Sequence, residues 1–174
     1  MKPLVSFILI SAILSLVLFP IWHFFLQSYY LNFLGKLISL LGDNLPYGKT
    51  DYVGLDANGD MLFGLFKIRS NVAVDVGSIV TNLVPLLALV LATPVSILKR
   101  IIGAVVGIGA GFLSHLLAVI IILLWQSSGG ARSFESLKIF TDGLVIAALP
   151  LFYWAVWADA VKKGGIADIL KWKK

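Results

Sequence analysis

No cysteine occurs anywhere in the chain. Its absence excludes structural disulfides, thiolate metal centres, iron–sulfur clusters, covalent haem attachment and cysteine nucleophiles, while leaving the redox compartment open. Charge is scarce too: only 13% of the 174 residues are Asp, Glu, Lys or Arg, where a soluble domain carries about a quarter. With 59% hydrophobic residues and a mean hydropathy of +0.97, water is not the main solvent of this chain. The net charge of +5 would suit nucleic acid, but the basic residues form no stripe interleaved with exposed aromatics. No nucleic-acid partner and no cofactor is expected.

What the chain has in abundance is long apolar runs, and an α-helix needs about 20 such residues to cross a hydrocarbon core about 30 Å thick. The expected fold is an all-α membrane bundle of about four transmembrane helices, with a small extracytoplasmic antiparallel β-insert between helices 1 and 2. Helix 1 is assigned to residues 1–28; its apolar run Leu4–Phe25 is longer than a signal-peptide core and no small-residue cleavage pattern follows, so it should stay attached. An interfacial helix, or a continuation of the first, is expected over 29–45, with Leu31, Leu34, Ile38 and Leu41 at helical spacing before Gly42-Asp43-Asn44. Residues 46–77 alternate and carry Asn58-Gly59, which predicts a hairpin closed by a type I′ turn. Val72, Val74 and Val76 then mark a third strand. Transmembrane helices follow at 78–98 and 101–125, joined at a Lys99-Arg100 tip, and the shortness of that tip forces an antiparallel pair. An outer loop fills 126–138 and a fourth transmembrane helix 139–158. Residues 159–174 form a basic cytoplasmic tail, in which Ile166, Ile169, Leu170 and Trp172 could lie on a membrane surface.

Orientation follows from lysine and arginine near the spans. One side would carry Lys2, Lys99, Arg100, Lys162, Lys163, Lys171, Lys173 and Lys174 in short segments. The other would carry Lys36, Lys49, Lys67, Arg69, Arg132 and Lys138, diluted by six acidic residues. Both termini are therefore expected in the cytoplasm, with the β-insert outside.

Gly103, Gly107, Gly109 and Gly111 place a small-residue strip on the third span, where another helix can approach closely. That helix could belong to this chain or to another subunit. His115, an ionisable residue at depth, is the first candidate for a buried polar site, with Asn82, Thr81 and His23 as possible companions. The competing reading is a neutral imidazole hydrogen-bonded across the bundle. Asp56, Asn58 and Asp60 superficially resemble the start of a calcium loop, but Gly59 is misplaced and Lys67 stands where the closing glutamate belongs. Glu135 and Asp142, seven residues apart, read as solvated charges at a helix start. Tyr153, Trp154 and Trp157 read as anchors at a membrane interface. No metal site is expected.

The order of parts resembles the small membrane proteins associated with exosortases, notably the exosortase H-associated family. The likeness lies in one span, an alternating segment, the Pro85–Pro94 stretch PLLALVLATP and a basic hairpin tip. It covers most of the chain in layout and about residues 82–100 in wording. It implies an accessory protein beside a protein-sorting transpeptidase of the bacterial envelope. Exosortase chemistry is attributed to a membrane-embedded cysteine with arginine and histidine partners; a chain without cysteine cannot be that enzyme, so Arg100 and His115 inherit no catalytic role. The leading expectation is a non-catalytic accessory or scaffolding subunit in the bacterial inner (cytoplasmic) membrane, whose partners are other membrane protein subunits and membrane lipids. A small transporter using His115 and Asn82 is the first alternative, and a membrane hydrolase using Glu135, Asp142 or His115 the second.

Overall fold

Hydropathy and length already separate two helices from the rest. The computed structural model describes residues 2–41, 49–65, 69–127 and 148–162. Its elements are α1 (Lys2–Ile21), a π-turn (Trp22–Leu26), α2 (Gln27–Leu41), β1 (Thr50–Leu55), β2 (Met61–Leu65), β3 (Ser70–Val74), α3 (Gly77–Val80), α4 (Leu83–Ala92), α5 (Ile97–Ser127) and α6 (Leu149–Lys162). The chain is mostly helical with one small antiparallel sheet. Two helical runs, Leu4–Leu41 and Ile97–Ser127, are long and apolar enough to cross a membrane; Leu83–Ala92 and Leu149–Val161 are apolar but shorter.

Of the two readings of 29–45, the first of these runs takes the continuing helix. Residues 4–41 form one continuous helical run of 38 residues, about 57 Å at 1.5 Å per residue. Its inward stripe explains the π-turn. Ser11, Ser15, Leu18 and Trp22 turn inward at steps of four, three and four; the next inward residue is Gln27, five on, after which Leu31, Leu34 and Ile38 resume the helical step. The π-turn, closed by Gln27 N donating to Trp22 O, absorbs one surplus residue and keeps the inward stripes of the two halves in line, α1 against α4 and α2 against the sheet and α5.

The three strands fall in the expected insert, ordered β1-β2-β3 and antiparallel throughout. The turn between β1 and β2 is not type I′. Gly59 alone in that turn has a positive φ, at 85°, while Gly59 N donates to Asp56 O at 3.1 Å and Asp56 N to Asp60 O at 2.9 Å. Asp56 Oδ1 also accepts from Asn58 N and Asp60 N. An aspartate that can hydrogen-bond the turn's own backbone favours a type I turn followed by a left-handed glycine.

One face of the sheet, Met61, Phe63, Leu65 and Val74, is buried against Leu31, Leu34 and Ile38 of α2 and Val119, Ile122 and Leu123 of α5, all in one core cluster. Gly35 makes this approach possible, since a Cβ there would stand 2.5 Å from the Tyr52 ring. Unpaired strand edges invite association, and both edges are met by the long helices. Ser39 Oγ donates to Thr50 O at 3.1 Å and accepts from Tyr52 N at 3.3 Å; Gln126 Nε2 donates to Ala73 O at 3.2 Å.

The expected second span is shorter than 78–98. After α3 and a turn at Thr81-Asn82, α4 covers ten residues, about 15 Å. Pro85 is tolerated in its first turn, whose N–H groups lack helical partners, and Thr93-Pro94 ends it. Lys99 and Arg100 are not a hairpin tip: they lie in the first turn of α5, which runs 31 residues to Ser127. A four-span bundle is therefore not what these lengths establish. Of the outer loop expected over 126–138, Gln126 and Ser127 belong to α5; the rest of it, the beginning of the fourth span and the tail from residue 163 lie outside the described residues.

If the π-turn only absorbs a surplus residue, deleting the exposed Phe24 turns the five-residue step from Trp22 to Gln27 into an ordinary step of four. The deletion variant should unfold within a few degrees of the parent in detergent-based thermal denaturation, whereas inserting an alanine after Phe24 should destabilise it clearly.

Candidate functional site

The glycine strip of α5 decides which side chains meet at its centre. Gly103, Gly107 and Gly111 are buried at four-residue steps, and His115 is the next on that face. A Cβ at Gly103 would collide with the Trp157 indole; one at Gly107 would stand 2.9 Å from Tyr153, and one at Gly111 2.5 Å from Leu83. The strip thus packs within the chain, against α6 and α4. Gly109 alone of the four meets nothing within 4 Å. Tyr153 Oη donates to Gly103 O at 2.8 Å and Trp154 Nε1 to Thr93 Oγ1 at 2.9 Å, while Trp157 is buried. These aromatics fasten α6 to its neighbours.

At the end of the strip His115 is fully buried. Its Nε2 lies 2.9 Å from Asn82 Oδ1 and its Nδ1 2.6 Å from Tyr30 Oη. An amide oxygen only accepts, so Nε2 carries the proton, and in the neutral ring Nδ1 accepts from the Tyr30 hydroxyl. Asn82 precedes α4 where a capping side chain would stand, yet it makes no cap bond, because its oxygen is turned to the imidazole. Tyr30 is itself enclosed by Trp22 at 5.4 Å and Phe112 at 6.0 Å between ring centroids. The result is a clasp joining α2, α4 and α5.

Two of the four expected members, His115 and Asn82, therefore meet, and two do not. His23 lies on the exposed side of the π-turn, 3.1 Å from Gln27 Oε1 and stacked on Phe19. Tyr30, which the sequence did not single out, takes its place; the only signal was a hydroxyl-bearing aromatic eight residues from Trp22, on a helix whose inward register shifts at the π-turn. Thr81 donates instead to Gly77 O.

A second, polar cleft of about 410 Å³ lies between His23, Gln27 and Ser28 on one side and the Asp56–Asp60 turn with Asp75 on the other. Burial, and then the charges of Asp56 and Asp75, hold the Asp60 carboxyl above its ordinary pKa. Among the described residues no group of three or more His, Asp or Glu side chains is arranged to hold a metal ion. Glu135 and Asp142 lie outside the described residues.

Comparison with protein-family models, with curated proteins and with solved structures finds no match to this chain.

The clasp carries a stability prediction. Tyr30→Phe leaves a buried ring nitrogen without its donor and should cost about 1–2 kcal/mol; in a His115→Phe background the same change should cost far less. A double-mutant cycle by equilibrium unfolding in detergent measures that difference. The Asp60 turn carries a pH prediction. A carboxyl whose folded pKa is raised contributes stability in acid that is lost as the pH climbs through that value. Asp60→Asn should therefore unfold at a higher temperature than the parent at pH 7, and the two should converge below about pH 3.9, the ordinary aspartate value.

Proposed function

We propose that the chain is a non-catalytic accessory or scaffolding subunit of a membrane protein complex, with both termini in the cytoplasm of a bacterial cell and the sheet module outside. Leu4, Thr93 and Asp159 line one crevice, so α1, the end of α4 and the end of α6 share a level. From that level about 20 residues of helix fill a 30 Å hydrocarbon core, reaching about Phe24 on the first helix and Leu117 on α5. On that count Tyr30 and Phe33, which meet His115 and Phe112 of α5, lie at the boundary, and the last turns of α2, with α5 beyond residue 117, stand clear of the lipid beside the sheet.

One observation carries the proposal. At and beyond that boundary, Tyr29, Phe33 and Leu40 fall on one side of α2 and are 79%, 61% and 79% exposed, with the exposed Lys36 among them. A face of large apolar side chains around one cation is what a partner protein covers. Val53, lifted out of β1 by the bulge between Tyr52 and Gly54, is 61% exposed and adds to the same module. The glycine strip, filled by the chain's own side chains, leaves the docking role to this module. An envelope protein-sorting complex is the setting that the exosortase-associated resemblance implies, and it rests on that resemblance alone.

Extracted from native membranes in mild detergent, the protein should migrate with a stoichiometric partner. Phe33→Arg combined with Leu40→Arg should reduce that partner more than tenfold while the circular dichroism spectrum is unchanged. A parent protein that migrates alone, or a double variant that keeps its partner, contradicts the proposal.

A further inference from the structure

At the opposite end of the molecule from the sheet, α4 is too short to keep its two neighbours apart. It packs between α1 and α6 but ends at Ala92, and below it a crevice of about 640 Å³ opens between the start of α1 and the last turns of α6. The lining is overwhelmingly apolar: Leu4 and Phe7 from one wall, Trp154, Ala155 and Ala158 from the other, with the Thr93-Pro94-Val95 linker as floor. Trp154 is held in place twice, by its bond to Thr93 Oγ1 and by stacking on Phe7 at 5.3 Å, so the crevice is a shaped feature of the fold.

Its rim is charged. The linker that floors the crevice leads directly into α5, whose first turn carries Lys99 and Arg100, within about one turn of helix from Val95. Arg100 is partly buried, and its Nε is shut from solvent with no hydrogen-bond partner among the described residues. The enclosed stem presets the position of the guanidinium, a group suited to phosphate. Asp159 is the one acidic residue in the lining.

We propose that this crevice holds an acyl chain of an anionic phospholipid whose phosphate is met by Arg100 and Lys99. In a bilayer, lipid is the hydrocarbon at hand to fill an apolar cleft opening sideways, and a basic pocket between helices selects an anionic headgroup. The inference rests on the membrane setting proposed above, but on neither its sidedness nor its protein partner.

The full-length protein, purified in mild detergent with equimolar phosphatidylglycerol and phosphatidylcholine, is examined by native mass spectrometry. One phosphatidylglycerol should be retained at least tenfold over phosphatidylcholine. Ala158→Trp, which fills the crevice, should lower retention at least fivefold, and Ala155→Phe at its rim should do the same should the first variant fail to fold. Arg100→Gln should abolish the headgroup preference, and Arg100→Lys should restore part of it. Equal retention of the two lipids by the parent, undiminished retention in a folded crevice variant, or cross-linking of a photoreactive residue at Ala155 to protein and not lipid overturns the proposal. A protein that stays monodisperse without detergent would instead defeat the membrane reading beneath it.

Discussion

A helix can leave its backbone in hydrocarbon because it satisfies its own hydrogen bonds, but it cannot shorten itself to fit. In the membrane setting proposed above, that constraint produces an excess. The 38-residue and 31-residue runs are about 57 and 46 Å long, against a hydrocarbon core of about 30 Å. The surplus ends do not fray into loops. They come together with three short strands, which alone would be marginal in water, and the sheet gains from them both a buried face and side chains for its two edges. The long helices and the sheet module share one apolar core cluster.

The second requirement is close approach, and it is met where side chains are missing. Gly103, Gly107 and Gly111 let α4 and α6 lie against α5, and Gly35 lets Tyr52 lie across α2. The same face of α5 ends in His115, whose two ring nitrogens tie the neighbouring helices. Glycine removes bulk along three turns and histidine supplies direction at the fourth: packing in lipid gains little from apolar surface alone, so geometry and hydrogen bonds must choose the arrangement.

Much of this was legible in the sequence for identifiable reasons. The insert announced itself through period-two alternation around Asn58-Gly59, and α5 through its glycine spacing and long apolar run. His115 was marked by being ionisable among apolar residues, and Asn82 by lying at similar depth. What escaped depended on single-residue register or on competing local bonds. A surplus residue after Pro20 turned His23 outward while bringing Tyr30 in. The Asp56 carboxylate changed the turn type that Asn-Gly alone suggests. The Thr93-Pro94 pair ended α4 early, although the apolar run continues through Val95 to Leu98, because hydropathy does not record a backbone that can no longer propagate a helix. Trp154 and Trp157 look like interface anchors in any sequence; only the glycine opposite Trp157 and the threonine opposite Trp154 reveal the neighbours they also fasten.

The measurement that bears most directly on this account is a depth scan, which a chain without native cysteine permits cleanly. Single cysteines are placed at exposed positions along the first helix, from Ile8 through Val17, Tyr29 and Phe33 to Leu40, and at Asn58, then spin-labelled in the reconstituted protein and probed with oxygen and with a water-soluble relaxation agent. Labels at Ile8 and Val17 should respond to oxygen as lipid-exposed sites, with the response crossing over to the aqueous agent by Phe33 and staying aqueous at Leu40 and Asn58. An oxygen response that remains lipid-like through Leu40, or an aqueous one already at Val17, would contradict a helix that leaves the membrane part-way along its length.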